Sequence, residues 1–190
     1  QMLAKGHHFA ALSLVVVLDV DQGLYSPDFR SAEKTLQLLT QVAGRAGRSD
    51  TLGRVLIQTH LPDHPLLINW QQHSYQGVKA TLMAERELYS LPPITHMAIL
   101  RADSTKPQQA MQVLSQLLRD HPANNHCQIL GPLATIMEKR AGRHRAQLII
   151  KSPQRKALHN TIEQFVQQFE AAKLPSSLRW SVDIDPQDVI

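Results

Sequence analysis

Apolar and polar positions follow two different periods along this chain, and each switch between them marks an element. Leu12-Ser13-Leu14-Val15-Val16-Val17-Leu18 is a short apolar run rich in β-branched residues and ending at Asp19. That pattern predicts a central parallel strand buried on both faces. Ser26-Pro27 reads as a helix start, a capping hydroxyl followed by proline at the first helical position, and Ala32, Leu36, Leu39 and Ala43 supply an inward stripe. Gly53-Arg54-Val55-Leu56-Ile57-Gln58-Thr59 predicts a second strand, so the first third of the chain reads as β-turn-α-β.

Two helical segments are predicted between His64 and Tyr89, the second carrying Val78, Leu82 and Glu85-Arg86 and stopped by Leu91-Pro92-Pro93. Met97-Ala98-Ile99-Leu100-Arg101-Ala102 then reads as a strand. Ala110, Val113, Leu114, Leu117 and Leu118 mark one face of a helix. Gln128-Ile129-Leu130 and a break at Gly131-Pro132 precede a hairpin with arms Thr135 to Lys139 and Ala146 to Lys151, Gly142 lying near its turn. Leu158, Ile162, Phe165, Val166 and Phe169 form a further helix face, and Trp180, Val182 and Ile184 alternate with polar residues as a one-sided strand. Phe165 and Trp180 are therefore read as core residues rather than stacking platforms. The order βαββαβ predicts an α+β ferredoxin-like sandwich. The expected organisation is an α/β unit over 1–75, a helical connector over 76–93 and the βαββαβ domain over 94–190.

Composition narrows the class. At 43% hydrophobic residues the chain can build an ordinary core, and no apolar stretch approaches the roughly 18 residues of a membrane span. No basic-then-apolar leader opens the sequence, so export is not expected. Cys127 is the only cysteine, which leaves neither a disulfide framework nor a cysteine-rich zinc site in this chain and fits a reducing cytoplasm. The net charge of +4 is modest, but Lys139, Arg140, Arg143 and Arg145 cluster around Gly142. Four cations at a hairpin tip are expected to meet several phosphates, the alternative being a charged hairpin that blunts a sheet edge.

The densest chemistry lies in Gln41-Val42-Ala43-Gly44-Arg45-Ala46-Gly47-Arg48. On a helix, Arg45 and Arg48 share a face, and Gly44 and Gly47 permit close approach, so both guanidiniums can converge on one anion such as a nucleoside triphosphate. The competing reading is a solvated basic helix end. Asp19 and Asp21 lie just past the first strand, either orienting an arginine or capping a turn and pairing locally. His7-His8 lacks a cysteine or carboxylate at ligand spacing and is assigned to packing, so no metal site is expected here. Ser152-Pro153 opens the last helix, beside Lys151, Arg155 and Lys156.

Gln-x-x-Gly-Arg-x-Gly-Arg resembles the last conserved motif of superfamily 2 helicases. With Lys5-Gly6-His7-His8-Phe9, the stretch Leu18 to Arg30, Leu91-Pro92-Pro93, Gly131-Pro132 and Trp180 to Pro186, the whole chain resembles the C-terminal part of the PriA family of primosomal helicases. The resemblance implies a partial RecA-like second helicase lobe before the ferredoxin-like domain. It implies nucleotide contact at Gly6, with Gln41, Arg45 and Arg48 facing the triphosphate and Arg48 as the arginine finger. It further implies ATP and magnesium in a longer parent, whose Gly-Lys-Thr loop, acidic box and cysteine-rich zinc module would lie upstream, so that this fragment alone hydrolyses no ATP. The implied activity is 3′ to 5′ unwinding at stalled or branched forks in the bacterial cytoplasm, leading to primosome assembly and loading of the replicative helicase. Implied partners are branched and single-stranded DNA, other primosome proteins, and the acidic tail of single-stranded DNA-binding protein, for which Arg155 offers a cationic lip. His144 stands where the family commonly has an aromatic, and Leu133-Ala134 where Pro-Ala is usual. The rival class is a non-enzymatic DNA- and protein-binding module.

Overall fold

The computed structural model describes residues 12–46, 53–121 and 126–189. The chain forms two compact units, Gln1–Glu85 and Arg86–Ile190.

In the first unit, β1 (Leu14–Val17) pairs in parallel with β2 (Arg54–Ile57), Val15 opposite Val55. Between them lie the single turn α1 (Asp21–Leu24) and α2 (Ser31–Ala43), and α3 (Pro65–Leu88) follows. Leu36, Leu39 and Val42 recur at helical spacing and are buried, and Leu36 and Leu39 meet Val20, Leu67, Val78 and Leu82 in one cluster. Two helical segments were expected between His64 and Tyr89, and α3 consists of two helical stretches that meet at Ser74, whose φ of 60° and ψ of −165° are not helical.

Two expectations for this unit are corrected. Ser26-Pro27 does not start α2. The Ser26 hydroxyl accepts the Asp28 amide at 3.3 Å and Asp28 accepts the Arg30 amide at 3.1 Å, so these side chains build a turn and the helix begins at Ser31. Nor is β1 buried on both faces among the described residues: Val15 is 4% exposed, whereas Leu14 and Val16 are 48% and 50% exposed on the other face. Leu56 extends that apolar face.

The second unit has the element order β3 (His96–Ser104), α4 (Gln109–Asp120), β4 (Gln128–Arg140), β5 (Arg143–Ser152), α5 (Arg155–Ala171) and β6 (Leu178–Ile184). Its four strands lie in the order β4-β5-β3-β6, every neighbouring pair antiparallel. Strand alternation sorts the faces: Ala98, Leu100 and Ala102 of β3 lie level with Ile150, Leu148 and Ala146 of β5 and with Ile184, Val182 and Trp180 of β6. This face packs against Ala110, Leu114 and Leu117 of α4 and Leu158, Ile162, Phe165 and Phe169 of α5. Phe169 stacks on Trp180 with centroids 4.7 Å apart. Each fully buried side chain of this size stabilises the fold by about 1.5–3 kcal/mol.

The opposite, helix-free face is partly covered by residues 185–189. Arg101 bonds Asp183 and the Asp188 carbonyl, the Gln147 amide donates to the Val189 carbonyl, and Pro186 is buried. The expected break at Gly131-Pro132 is instead a register shift between Leu130 and Leu133 within one long strand. Gly131 permits it: at φ 116° a side-chain carbon there would stand 2.8 Å from the Gln147 carbonyl oxygen. Among the described residues no helix is long and apolar enough to cross a membrane.

Candidate nucleotide and nucleic-acid sites

The arginine motif begins in the last turn of α2. Gln41 is exposed there, and that turn is held from α3 by the Trp70 indole, which donates to the Thr40 hydroxyl at 2.8 Å while Thr40 donates to the Leu36 carbonyl. Gly44 caps the helix with right-handed angles, and the Arg45 amide bonds the Val42 carbonyl at 3.1 Å, so the backbone keeps turning into the motif. Gln41 and Arg45 thus lie about one turn apart on a helix end tied to the unit's core, with Arg45 half-buried. Gly6 and Arg48 lie outside the described residues, as do His7 and His8.

Asp21 has a definite task. It accepts the Thr59 hydroxyl and, at 2.8 Å, the His60 amide, fastening the segment after β1 to the segment after β2. Those two bonds, the amide first, lower its pKa below the ordinary 3.8. Asp19, at φ 53°, accepts from the Gln22 amide. Both carboxylates therefore fasten loops.

The basic hairpin closes tightly, Arg140 opposite Arg143 and Lys139 opposite His144. Ala141 and Gly142 have φ of 49° and 76°, the two left-handed positions of a type I′ turn. All four cations were expected to project from the tip, and the geometry separates them. Lys139 and Arg140 are exposed. Arg143 turns inward, only 17% exposed, pairing through Nε with Asp103 and through Nη2 with the carbonyls of Asp103 and, at 2.6 Å, Ser177. A guanidinium with three internal acceptors braces β5 to β3 and to the turn before β6. No sequence signal pointed to Asp103 or Ser177, because they lie 40 and 34 residues from Arg143.

Strand register assigns the rest. Arg145 lies directly opposite Asp103 on β3, and Asp103 lies opposite Arg179 on β6, so these three side chains form one row across the helix-free face. Arg179 is exposed, and neither it nor Arg145 forms an ion pair among the described residues. Glu138 and His144 line a cavity of about 410 Å³ against Met111 at the start of α4, and Arg145 borders it as well.

At the far end of β5, Arg155 opens α5, 59% exposed and 2.7 Å from Asp185. Nearby Lys151, 9% exposed, donates to the Tyr89 carbonyl at 3.2 Å. Cys127 is a free thiol 3.2 Å from the Thr161 hydroxyl. Among the described residues no group of three His, Cys, Asp or Glu side chains is placed to hold a metal.

Comparison with known proteins covers both units. The chain is 41% identical over its whole length to the replication restart protein PriA of Haemophilus influenzae, matching 26% of that protein. It is 35% identical over 98% of its length to the Bacillus subtilis PriA (23% of that protein) and 32% identical over 100% to that of Treponema pallidum (29%). It therefore spans about a quarter of the length of these relatives. Among solved structures, a de novo designed protein, Foldit4, matches 49% of this chain and 98% of its own, at 11% identity and a TM-score of 0.37. Residues 87–187, the unit that carries the hairpin, the row of charges and Arg155, match the family described as the primosomal protein N C-terminal domain, and the chain belongs to that family.

Proposed function

We propose that this chain is the C-terminal part of an ATP-dependent 3′ to 5′ DNA helicase that recognises stalled or branched replication forks and restarts replication by primosome assembly. The observation that carries the reading is whole-length similarity to proteins named for replication restart, coupled to the family match over residues 87–187.

The finer architecture follows the same reading. The strand order β4-β5-β3-β6, with each βαβ crossover spanning one intervening strand, supports a ferredoxin-like domain over 94–190. The parallel β1–β2 pair with α2 between supports part of a RecA-like second lobe over 1–75, with residues 76–93 as the connector. In that lobe Gln41, Arg45 and Arg48 address the triphosphate, Arg48 as the finger, and Gly6 lines the nucleotide. ATP and magnesium are then held by upstream parts of a longer chain, as is zinc. Lys139, Arg140, Arg143 and Arg145 serve DNA, directly or by bracing the hairpin. Arg155 receives the acidic tail of single-stranded DNA-binding protein, and the remaining primosome proteins dock elsewhere, in the bacterial cytoplasm at the fork.

The test is Arg48→Ala in the full gene product. DNA-stimulated ATP hydrolysis is expected to fall by roughly three orders of magnitude or more while ATP binding persists. Undiminished turnover removes Arg48 from the site. The isolated 190-residue chain is expected to show no turnover, and measurable hydrolysis by it refutes the division of the motor.

A further inference from the structure

Among the described residues, Arg140, Arg145 and Arg179 form no ion pair, and strand register puts all three at the hairpin end of the second unit's helix-free face. Across its hairpin end run Arg145, Asp103 and Arg179 on adjacent strands β5, β3 and β6, with Arg140 and Arg143 facing each other one step nearer the turn. Asp103 is already engaged by Arg143, which cancels that pair and leaves Arg140, Arg145 and Arg179. The hairpin's own acid, Glu138, forms no ion pair with these three among the described residues. Neighbouring strands are about 4.8 Å apart, so Arg145 and Arg179 are anchored about 10 Å apart, on opposite flanks of one strand.

We propose that this band, Arg140, Arg145 and Arg179 on the open sheet face, holds the phosphate backbone of DNA, with Arg143 positioning the platform rather than contacting the ligand. The inference rests on the DNA-binding part of the function proposed above and adds Arg179 and a face to it. The chemistry favours backbone over base contact. Trp180, the one Phe, Tyr or Trp among these four strands, points to the core side, His96 and His144 fall in the same strand phase, and the apolar side chains exposed on the open face, Leu130 and Leu133, are aliphatic. Stacking platforms are aromatic, whereas arginine contacts to phosphate carry no sequence information. The middle of the face cannot take the strand as well, because Arg101 and Gln147 there hold residues 188 and 189.

The experiment is fluorescence anisotropy of the whole chain with labelled single-stranded and duplex oligonucleotides across a salt series, for the wild type, Arg145→Gln/Arg179→Gln and Lys139→Gln. Arg179→Gln alone, on the exposed edge strand, guards against a folding defect in the double variant. The double variant is expected to lose about tenfold in affinity and to lower the slope of log K against log salt by about 1.4 on single strands or 1.8 on duplex, with Arg179→Gln giving about half that slope change. Sequence-scrambled oligonucleotides are expected to bind equally. Wild-type affinity and slope in both sheet-face variants, with the loss confined to Lys139→Gln, overturn the platform and return binding to the tip. Binding of the wild type to neither oligonucleotide at the lowest salt overturns the DNA reading itself.

Discussion

Arg143 behaves as a structural cation within a basic cluster. Its three internal acceptors include a carboxylate, and charge-assisted bonds of this kind contribute about 1.5–3 kcal/mol each when well buried, less where water reaches them as it reaches Asp103. Arg143→Ala is expected to cost about 2 kcal/mol in thermal or urea unfolding, and Arg140→Ala at most about 0.5 kcal/mol. Equal melting of the two variants would show that the inward bonds hold nothing together. His121 is the second residue with a measurable consequence. Its ring stacks on Phe165 at 4.1 Å, and among the described residues neither ring nitrogen has a hydrogen-bond partner. Burial pushes its pKa below the ordinary 6.5, opposed by the neighbouring Gln168, which approaches without closing a hydrogen bond. The unfolded state therefore binds this proton more readily. Stability is full above pH 6.5 and declines as pH falls from there through the lowered folded pKa. His121→Phe is expected to flatten that decline in melts taken between about pH 7 and pH 5. An unchanged pH profile would place the titration elsewhere.

At the scale of elements, the β4–β5 hairpin is where sequence and backbone pull apart. Ala141 occupies a left-handed turn position that costs a side-chain-bearing residue about 1–2 kcal/mol and that asparagine tolerates better. Ala141→Asn is expected to raise stability by about 0.5–1 kcal/mol, and Gly131→Ala to lower it by about 1–3 kcal/mol through the Gln147 carbonyl. Chemical denaturation of the two variants checks both signs. The elements themselves were legible where one face is apolar at a single period: the stripes of α4 and α5 pack into the core as read, and in β6 Trp180 and Val182 are partly buried against it whereas Ile184, at the strand end, is 44% exposed. The start of α2 was not legible, because Ser26-Pro27 has the chemistry of a cap and of a turn alike, and only Asp28 decides between them. The inward turn of Arg143 was not legible either, since its partners come from β3 and from the approach to β6, and a local charge count cannot see across a sheet. Within the arginine motif the helix end was readable from the glycines, whereas the Trp70–Thr40 bond that holds the preceding turn spans 30 residues.

At the scale of the whole molecule, the two units differ in how their sheets are covered among the described residues. The second closes its core between one sheet face and two helices. The first leaves Leu14, Val16 and Leu56 about half exposed on one sheet face. Residues 86–190 produced alone are expected to unfold in one cooperative transition at the temperature of the upper transition of the whole chain. The lower transition, that of the first unit, is expected to depend on protein concentration because its apolar face associates. A single, concentration-independent transition in the whole chain would contradict both. Sheet order also bears on how such a unit comes into being. The central strand β3 is made first, yet one of its two partners is β6, the last strand to be synthesised. Closing that pairing joins residues 98–104 to residues 178–184, a long loop whose entropy must be met before any of its bonds form. On the ribosome, the nascent unit can assemble the β4–β5 hairpin early but must wait with one flank of its central strand unpaired until translation has passed β6. Its folding is thereby tied to synthesis of its last strand.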